Sequence, residues 1–325
     1  MSRVSLGILG LLVMIMFGTH AHADEAKFQA WLSEFKVKAA REGIAKETLD
    51  RAFDGISENL DVVALDRKQP EKKITLTRYL QNTISERRIR IGREKLAEHR
   101  ELLQAISLKY GVQPKFIVAL WGIESDFGNY TGGFMLTESL ATLAYEGRRA
   151  SFFSKELIAA LRIMENEKLT PEEMTGSWAG AMGQCQFMPS TYLSYAADGD
   201  GDGDRDIWTS EADVFASIAN YLQSLDWDDT QGWGKYVELP ADFKTAEADI
   251  KTGQSATYWR KRGLRYTDDG QIAGDDTILY AIYPGTEEEG ALLITGNFQA
   301  LLEWNRSRYF ATAVGTLADA IGEGS

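Results

Sequence analysis

Two short stretches hold side chains whose types and spacing could do chemistry. The first is "WGIESDFGNYTGG", Trp121 to Gly133, an apolar run that ends in two acids and then breaks into glycines. Glu124 falls in the last turn of a helix predicted over Lys115 to about Ser125, flanked by Trp121 and Phe127, with Gly128 placed to end it. Apolar surroundings and the negative end of the helix dipole both disfavour a charged carboxylate there, so its pKa should rise. A raised pKa is what a proton donor needs near neutral pH. Glutamates near helix ends are also common on ordinary surfaces, so position alone favours the acid only modestly. Asp126 lies two residues on, and helix positions two apart point in different directions. It is a poor facing partner. Without a second acid the usual two-carboxylate route of glycoside hydrolysis is closed, and a substrate would have to supply its own nucleophile.

The second stretch is "DGDGDGDRDIW", which sets Asp198, Asp200, Asp202, Asp204 and Asp206 at alternate positions with Gly203 sixth from Asp198. That is the front half of an EF-hand calcium loop, hard oxygens plus the glycine its turn requires. Asp204 would offer a backbone carbonyl by position. The twelfth residue, where a bidentate glutamate belongs, is Thr209, so the closing ligand must come from further on. Five like charges this close repel one another unless a cation compensates them, and a structural Ca2+ is the expected cofactor. A bare acidic surface loop is the alternative.

What is missing narrows the chemistry further. Beyond residue 23 the only histidine is His99, in the polar helical run "GREKLAEHRELL", where it should be solvated. Ser-His-Asp and Cys-His arrangements are nearly excluded, and zinc would lack its usual ligands. Cys185 is the only cysteine, so no intrachain disulfide exists and an ordinary core must hold the chain. The formal charge of −13, one unit more negative once Arg3 is removed, argues against nucleic acid as a partner.

The elements that must position these groups follow from periodicity. Residues 1–23 read as a secretory signal: Arg3, an apolar stretch from Val4 to Phe17, and the small-x-small triplet Ala21-His22-Ala23. The apolar stretch is short for a bilayer span, so no transmembrane anchor is expected after processing. Residues 24–110 carry apolar residues at three and four spacing and read as an N-terminal helical domain. Pro114 starts the buried helix that ends at Glu124, opening a core domain over 111–236. Further helices are predicted over Glu138–Tyr145, Ala150–Lys168, Pro189–Ala197 and Ala212–Leu225. Residues 237–293 change character, and "TILYAIYPGTEEEGALLIT" reads as two strands joined by a turn within a small β-containing domain. Residues 294–325 return to helix. The fold class is mostly α, of the α+β kind.

The motifs "GIESDFGNYTG", "LATLAYEGRRASFFSKEL", "GSWAGAMGQCQFMPSTY", "DGDGDGDRDIWTSEADVFASIANYL" and "WNRSRYFATAVGTLADAI" occur in the order seen in the lytic murein transglycosylase B family, which this chain resembles over nearly all of its mature length. The resemblance implies a lysozyme-like helical core with a helical domain and a small β domain, in an exported periplasmic enzyme. It implies cleavage of the β-1,4 bond between N-acetylmuramic acid and N-acetylglucosamine without water, leaving 1,6-anhydro-muramoyl ends, with Glu124 as the single acid/base. Peptidoglycan glycan strands would be the partner, and cell-wall synthesis or division proteins its protein contacts. Residue by residue, it places Ser177, Gln186 and Phe187 in the cleft, the last as a ring for a sugar face. Tyr79, Tyr221 and Asn305 also match cleft positions. Arg148 and Arg149, elsewhere an ordinary solvated helix start, would pair with peptide-stem carboxylates. Asp213 would close the calcium loop, with Glu211 the nearer competitor.

Two positions depart from the family pattern. Trp304 stands where a tyrosine is common before the asparagine, and Phe310 where another tyrosine is expected. Each keeps an aromatic face and loses a hydroxyl, so stacking is expected there and the hydroxyls' hydrogen bonds are not. Two rival functions stay open: a hydrolytic muramidase, which needs a second carboxylate, and a non-catalytic calcium-dependent wall-binding protein.

Overall fold

The computed structural model describes residues 9–68, 74–268, 270, 272 and 274–323, with side chains described from residue 25 onward. The expected export signal therefore lies outside the residues whose side chains are described. No helix among the described residues is long and apolar enough to cross a membrane.

The chain is mainly helical. Its helices are α1 Leu9–Arg41, α2 Lys46–Ala52, α3 Leu60–Arg67, α4 Leu76–Thr83, α5 Glu86–Glu98, α6 Arg100–Tyr110, α7 Pro114–Ser125, α8 Leu136–Glu146, α9 Ala150–Asn166, α10 Pro189–Tyr195, α11 Glu211–Gln223, α12 Ala256–Arg262, α13 Gly296–Trp304 and α14 Arg308–Gly322. The strands are short: β1 Phe134–Met135, β2 Thr175–Gly176, β3 Gly234–Glu238, β4 Gln254–Ser255, β5 Arg265–Tyr266, β6 Ile278–Ile282 and β7 Ala291–Ile294. Each helix predicted around the two chemical motifs is present, with ends that coincide or shift by at most two residues.

The chain folds as two compact units, each discontinuous in sequence. One joins Met1–Pro70 to Thr131–Ser194. Its α1 presents Phe28, Leu32, Phe35 and Ala39 as one buried stripe, the three-and-four spacing that marks a helix face. Helices α8 and α9 pack together, joined by the short turn Gly147-Arg148-Arg149. Glu156 is buried within α9, and its carboxylate accepts hydrogen bonds from the amide and hydroxyl of Ser190 at 2.9 and 2.8 Å.

The second unit joins Glu71–Tyr130 to Tyr195–Ser325. The boundaries expected after residues 110 and 236 fall inside it. Helices α5 and α6 pack on α7, α11 and α14, so the segment before residue 110 does not stand apart. Helix α7 is buried from Phe116 to Gly122. Helix α14 approaches closely because its buried face is built from small residues. At Gly315 a Cβ would fall 2.2 Å from the Trp233 ring, so only glycine fits.

The expected hairpin is β6 and β7, antiparallel, with Tyr280 opposite Ile294 and Ile282 opposite Leu292. It belongs to a five-stranded antiparallel sheet ordered β4-β6-β7-β3-β5. The sheet has a small core of its own, in which Trp259 of α12 packs with Leu264, Leu279 and Leu293.

Candidate active site

Glu124 occupies the last turn of α7, and the chain leaves that helix by an unusual route. Asp126, Phe127 and Gly128 take positive φ in succession, 50°, 60° and 84°. Helix α7 thus ends at Ser125 with Asp126 as its left-handed cap, two residues before the glycine expected to stop it. Non-glycine residues in that region are strained, by about 1–3 kcal/mol each, unless surrounding groups hold them. Here they are held. Arg87 of α5 grips both oxygens of Asp126 at 3.0 Å, and Arg88 adds a contact at 3.4 Å. Those guanidiniums, Arg87 foremost, keep the Asp126 carboxyl below its ordinary range. The Ser125 hydroxyl donates to the Trp121 carbonyl at 3.1 Å and accepts from the Gly128 amide at 3.0 Å. Phe127 is buried edge-on against Trp121, ring centres 5.5 Å apart. Asp126, dismissed as a reacting partner, is therefore the clamp on the turn that aims Glu124.

Burial pushes the Glu124 carboxyl up to about 7. A single hydrogen bond acts in the other direction: the indole Nε1 of Trp304 donates to Glu124 Oε1 at 2.7 Å. Among the described residues, no second carboxylate contributes to the shift. The missing tyrosine hydroxyl left a hydrogen bond from position 304 to the carboxylate open, and the structure supplies one. Indole carries an N–H of its own, so the exchange of tyrosine for tryptophan keeps a donor at the carboxylate. Phe310 is buried within α14 and supplies none.

Aromatic packing holds the Trp304 ring. It lies on Tyr221, centres 5.1 Å apart, and Tyr221 stacks on Tyr195 at 4.5 Å. The Tyr221 hydroxyl donates to the Glu303 carbonyl at 3.3 Å. Tyr79 lies near enough to feel Glu124; burial first, and the carboxylate's charge after it, raise its hydroxyl above the usual value. Tyr79, Tyr221, Trp304 and Glu124 are thus brought together in the second unit. Asn305 follows at the C-cap of α13, exposed, its side-chain oxygen accepting from the Ser307 amide at 3.1 Å.

The remaining predicted binding residues belong to the first unit. Ser177 and Gln186 sit in a tight loop. Ser177 Oγ accepts from the Ala181 amide at 3.0 Å, while Gln186 (φ 51°) donates to the carbonyls of Thr131 and Gly183 at 3.1 and 2.9 Å. Phe187 is bridged to Met182 and only 2% exposed. Its ring offers almost no surface, so the expected sugar-stacking face is not met. Arg148 and Arg149 do bind a carboxylate, but it is the protein's own: Asp66 Oδ1 accepts from both, at 2.6 and 3.3 Å. Two guanidiniums on one carboxylate leave one positive charge over, and both side chains remain exposed.

The acidic loop is ordered by its own side chains. Asp198 Oδ2 accepts from the Gly203 amide at 3.0 Å, and Gly203 has the φ of 102° that such a turn requires. Oxygens of Asp198, Asp200 and Asp202 lie within 4.8 Å of one another, a hard-oxygen cluster that fits Ca2+. Asp213 is fully buried and ties the loop ends together, accepting from the Gly199 and Asp206 amides at 2.7 and 2.6 Å. It is not among the three converging residues, nor is Asp204. Glu211 faces His99 at 3.1 Å. His99 is not solvated as expected. Its ring meets the edges of Phe215 and Trp121, centres 5.2 and 6.1 Å away, and serves packing.

The chain as a whole resembles known proteins. The family model described as Transglycosylase SLT domain matches residues 27–319. The chain belongs to this family. Among SLT proteins it is 32% identical to the membrane-bound lytic murein transglycosylase B of Escherichia coli (strain K12) over 225 residues, 65% of this chain and 58% of that relative. The chain thus spans under two thirds of that relative's length. It is also similar to SltB3 from Pseudomonas aeruginosa, solved in complex with NAG-anhNAM-pentapeptide: 39% identity, TM-score 0.87, covering 91% of this chain and 79% of that one. The Escherichia coli lytic transglycosylase Slt35, solved in complex with calcium, gives 27% identity and a TM-score of 0.75, covering 90% and 93%. The SLT membership and these likenesses carry the lysozyme-like helical fold with its small β region.

Proposed function

We propose that this chain is a periplasmic lytic transglycosylase. It cleaves the β-1,4 bond between N-acetylmuramic acid and N-acetylglucosamine in peptidoglycan strands and leaves a 1,6-anhydro end, with Glu124 as its only acid/base. One observation carries the reading: a single carboxylate raised to about 7, with no second acid among the described residues contributing, in an SLT chain. A group that titrates near neutrality exists in both protonation states, so it can give a proton and then take one. In the first step Glu124 protonates the bridging oxygen, and the bond from that oxygen to the muramoyl C1 breaks with its electron pair going to the oxygen. In the second, the carboxylate takes the proton of the C6 hydroxyl as that oxygen closes on C1. No water is consumed. The substrate's N-acetyl group stabilises the cation between the steps, where two-acid glycosidases use a second carboxylate. The ligand in the SltB3 complex carries such an anhydro ring, which supports the same product here.

Around this centre Tyr79, Tyr221 and Asn305 contribute a ring or amide to the sugar chain; in the first unit, Ser177 and Gln186 offer polar groups to a glycan. Arg148 and Arg149, with one charge beyond what Asp66 neutralises, attract the acidic peptide stem. The signal at residues 1–23 fits export. Calcium belongs to the same reading, as the calcium complex of Slt35 supports for a relative; here Asp198, Asp200 and Asp202 would hold it, and it would compensate the charge of the loop before α11, the helix of Tyr221. Terbium luminescence displaced by Ca2+ in the native chain, and absent from Asp198→Asn, checks the ion.

The function is tested by mass spectrometry of products released from purified peptidoglycan. Muropeptides one water lighter than hydrolytic ones, absent with Glu124→Gln, support the reading. Reducing ends at the hydrolytic mass make the chain a muramidase, and no release by folded protein makes it a binding protein.

A further inference from the structure

The Trp304–Glu124 hydrogen bond has a chemical asymmetry that the acid/base role alone does not use. Indole Nε1–H is a donor and never an acceptor, whereas a phenol hydroxyl can rotate to do either. At 2.7 Å the indole occupies Glu124 Oε1 and leaves Oε2 without that partner. A proton on Oε1 would turn that oxygen into a poor acceptor and set two donors against each other. A proton on Oε2 leaves the indole bond intact.

We propose that Trp304 is a positioning residue that divides labour between the two oxygens of Glu124: Oε1 stays on the indole throughout, and Oε2 carries the proton in both steps. This rests on the acid/base reading above and deepens it. In the first step Oε2–H passes its proton to the bridging oxygen, and the charge left on the carboxylate is met at once by an N–H already in place. In the second step Oε2 takes the C6 hydroxyl proton, so the same oxygen returns to its starting state. Nothing has to reorient between the steps. Preorganised donors of this kind stabilise charge as it develops without reorganisation at the moment of reaction. The tilted packing of Trp304 on Tyr221 and the stack of Tyr221 on Tyr195 hold the indole in the geometry this needs.

The experiment has one arm that needs no turnover. The Trp304 indole N–H resonance of 15N-labelled protein, assigned by its loss in Trp304→Phe, should shift with a midpoint near pH 7 and stop titrating in Glu124→Gln. In the second arm Trp304→Phe keeps an aromatic ring and removes the donor. It should lower kcat about 10- to 100-fold, the size of one hydrogen bond to a charged group, and move the basic limb of the pH profile upward by roughly one unit. Trp304→Tyr should recover most of the rate, because a hydroxyl can also donate. An indole signal that ignores pH, or a Trp304→Phe profile with an unmoved limb, overturns the assignment even where anhydro products still form. Failure of the parent reading looks different: the indole titrates as expected while the native chain releases hydrolytic products or none.

Discussion

Substituting Glu124 by glutamine should stabilise the fold, and only above a defined pH. In the unfolded chain this carboxyl ionises at its ordinary value of 4.5, and in the folded chain burial raises it to about 7. Below pH 4.5 both states hold the proton and the residue imposes no penalty. Between the two values the folded state keeps a proton the unfolded state has released, so native stability falls as pH rises, by about 1.4 kcal/mol per unit. Above pH 7 both states are ionised and the penalty levels off at about 3 kcal/mol. This is an upper bound, since Glu124 is only half-buried and residual water contact screens the charge. Glutamine is neutral at every pH, and its carbonyl can still accept the Trp304 N–H. Urea unfolding of both proteins at pH 4 and pH 8.5 checks this. Glu124→Gln should match the native chain at pH 4 and exceed it by as much as about 3 kcal/mol at pH 8.5. Equal stability differences at the two pH values would refute the claim that burial raises this group, and with it the basis for a neutral-pH proton donor.

Other consequences can be checked separately. Because the first step needs the protonated acid, kcat/KM should fall about tenfold per pH unit above pH 7, as measured on soluble glycan substrates. Asp126→Ala should be less stable than Asp126→Gly by about 1 kcal/mol in denaturant titration: both lose the Arg87 clamp, and only alanine also resists the left-handed backbone. Gly315→Ala should lose about 1–3 kcal/mol, seen as a lower Tm, because its Cβ has no room beside Trp233. At Ca2+ one hundred times its Kd, the native chain should gain about 2.7 kcal/mol in unfolding free energy, and Asp198→Asn should gain none.

Local periodicity made the chemical elements of this chain readable before its structure was known. The apolar run into Glu124, the alternating aspartates and the β6–β7 hairpin are contiguous signals, and each appears where its residues put it. What stayed hidden depends on segments far apart in the chain. Asp126 becomes a clamp only because α5 brings Arg87 to it, and Asp66 captures Arg148 and Arg149 from a helix that precedes them by dozens of residues. Strands β4 and β5 are two residues long, too short to show a period of their own, and form because β6 and β3 offer them edges. The family resemblance made Phe187 a sugar platform, yet the residue bridges to Met182 and is buried. Trp304 was visible as a departure from the family pattern. Counting its lost hydroxyl without its gained N–H hid its bond to Glu124.

The central claim is that the bond breaks without water, and isotope labelling reads this directly. Peptidoglycan digested in water enriched in 18O should yield products with no label at the muramoyl C1, since the oxygen that closes there comes from the sugar's own C6. One 18O atom at C1 in the primary products would contradict the account and require a hydrolytic centre with a water that Glu124 alone does not explain.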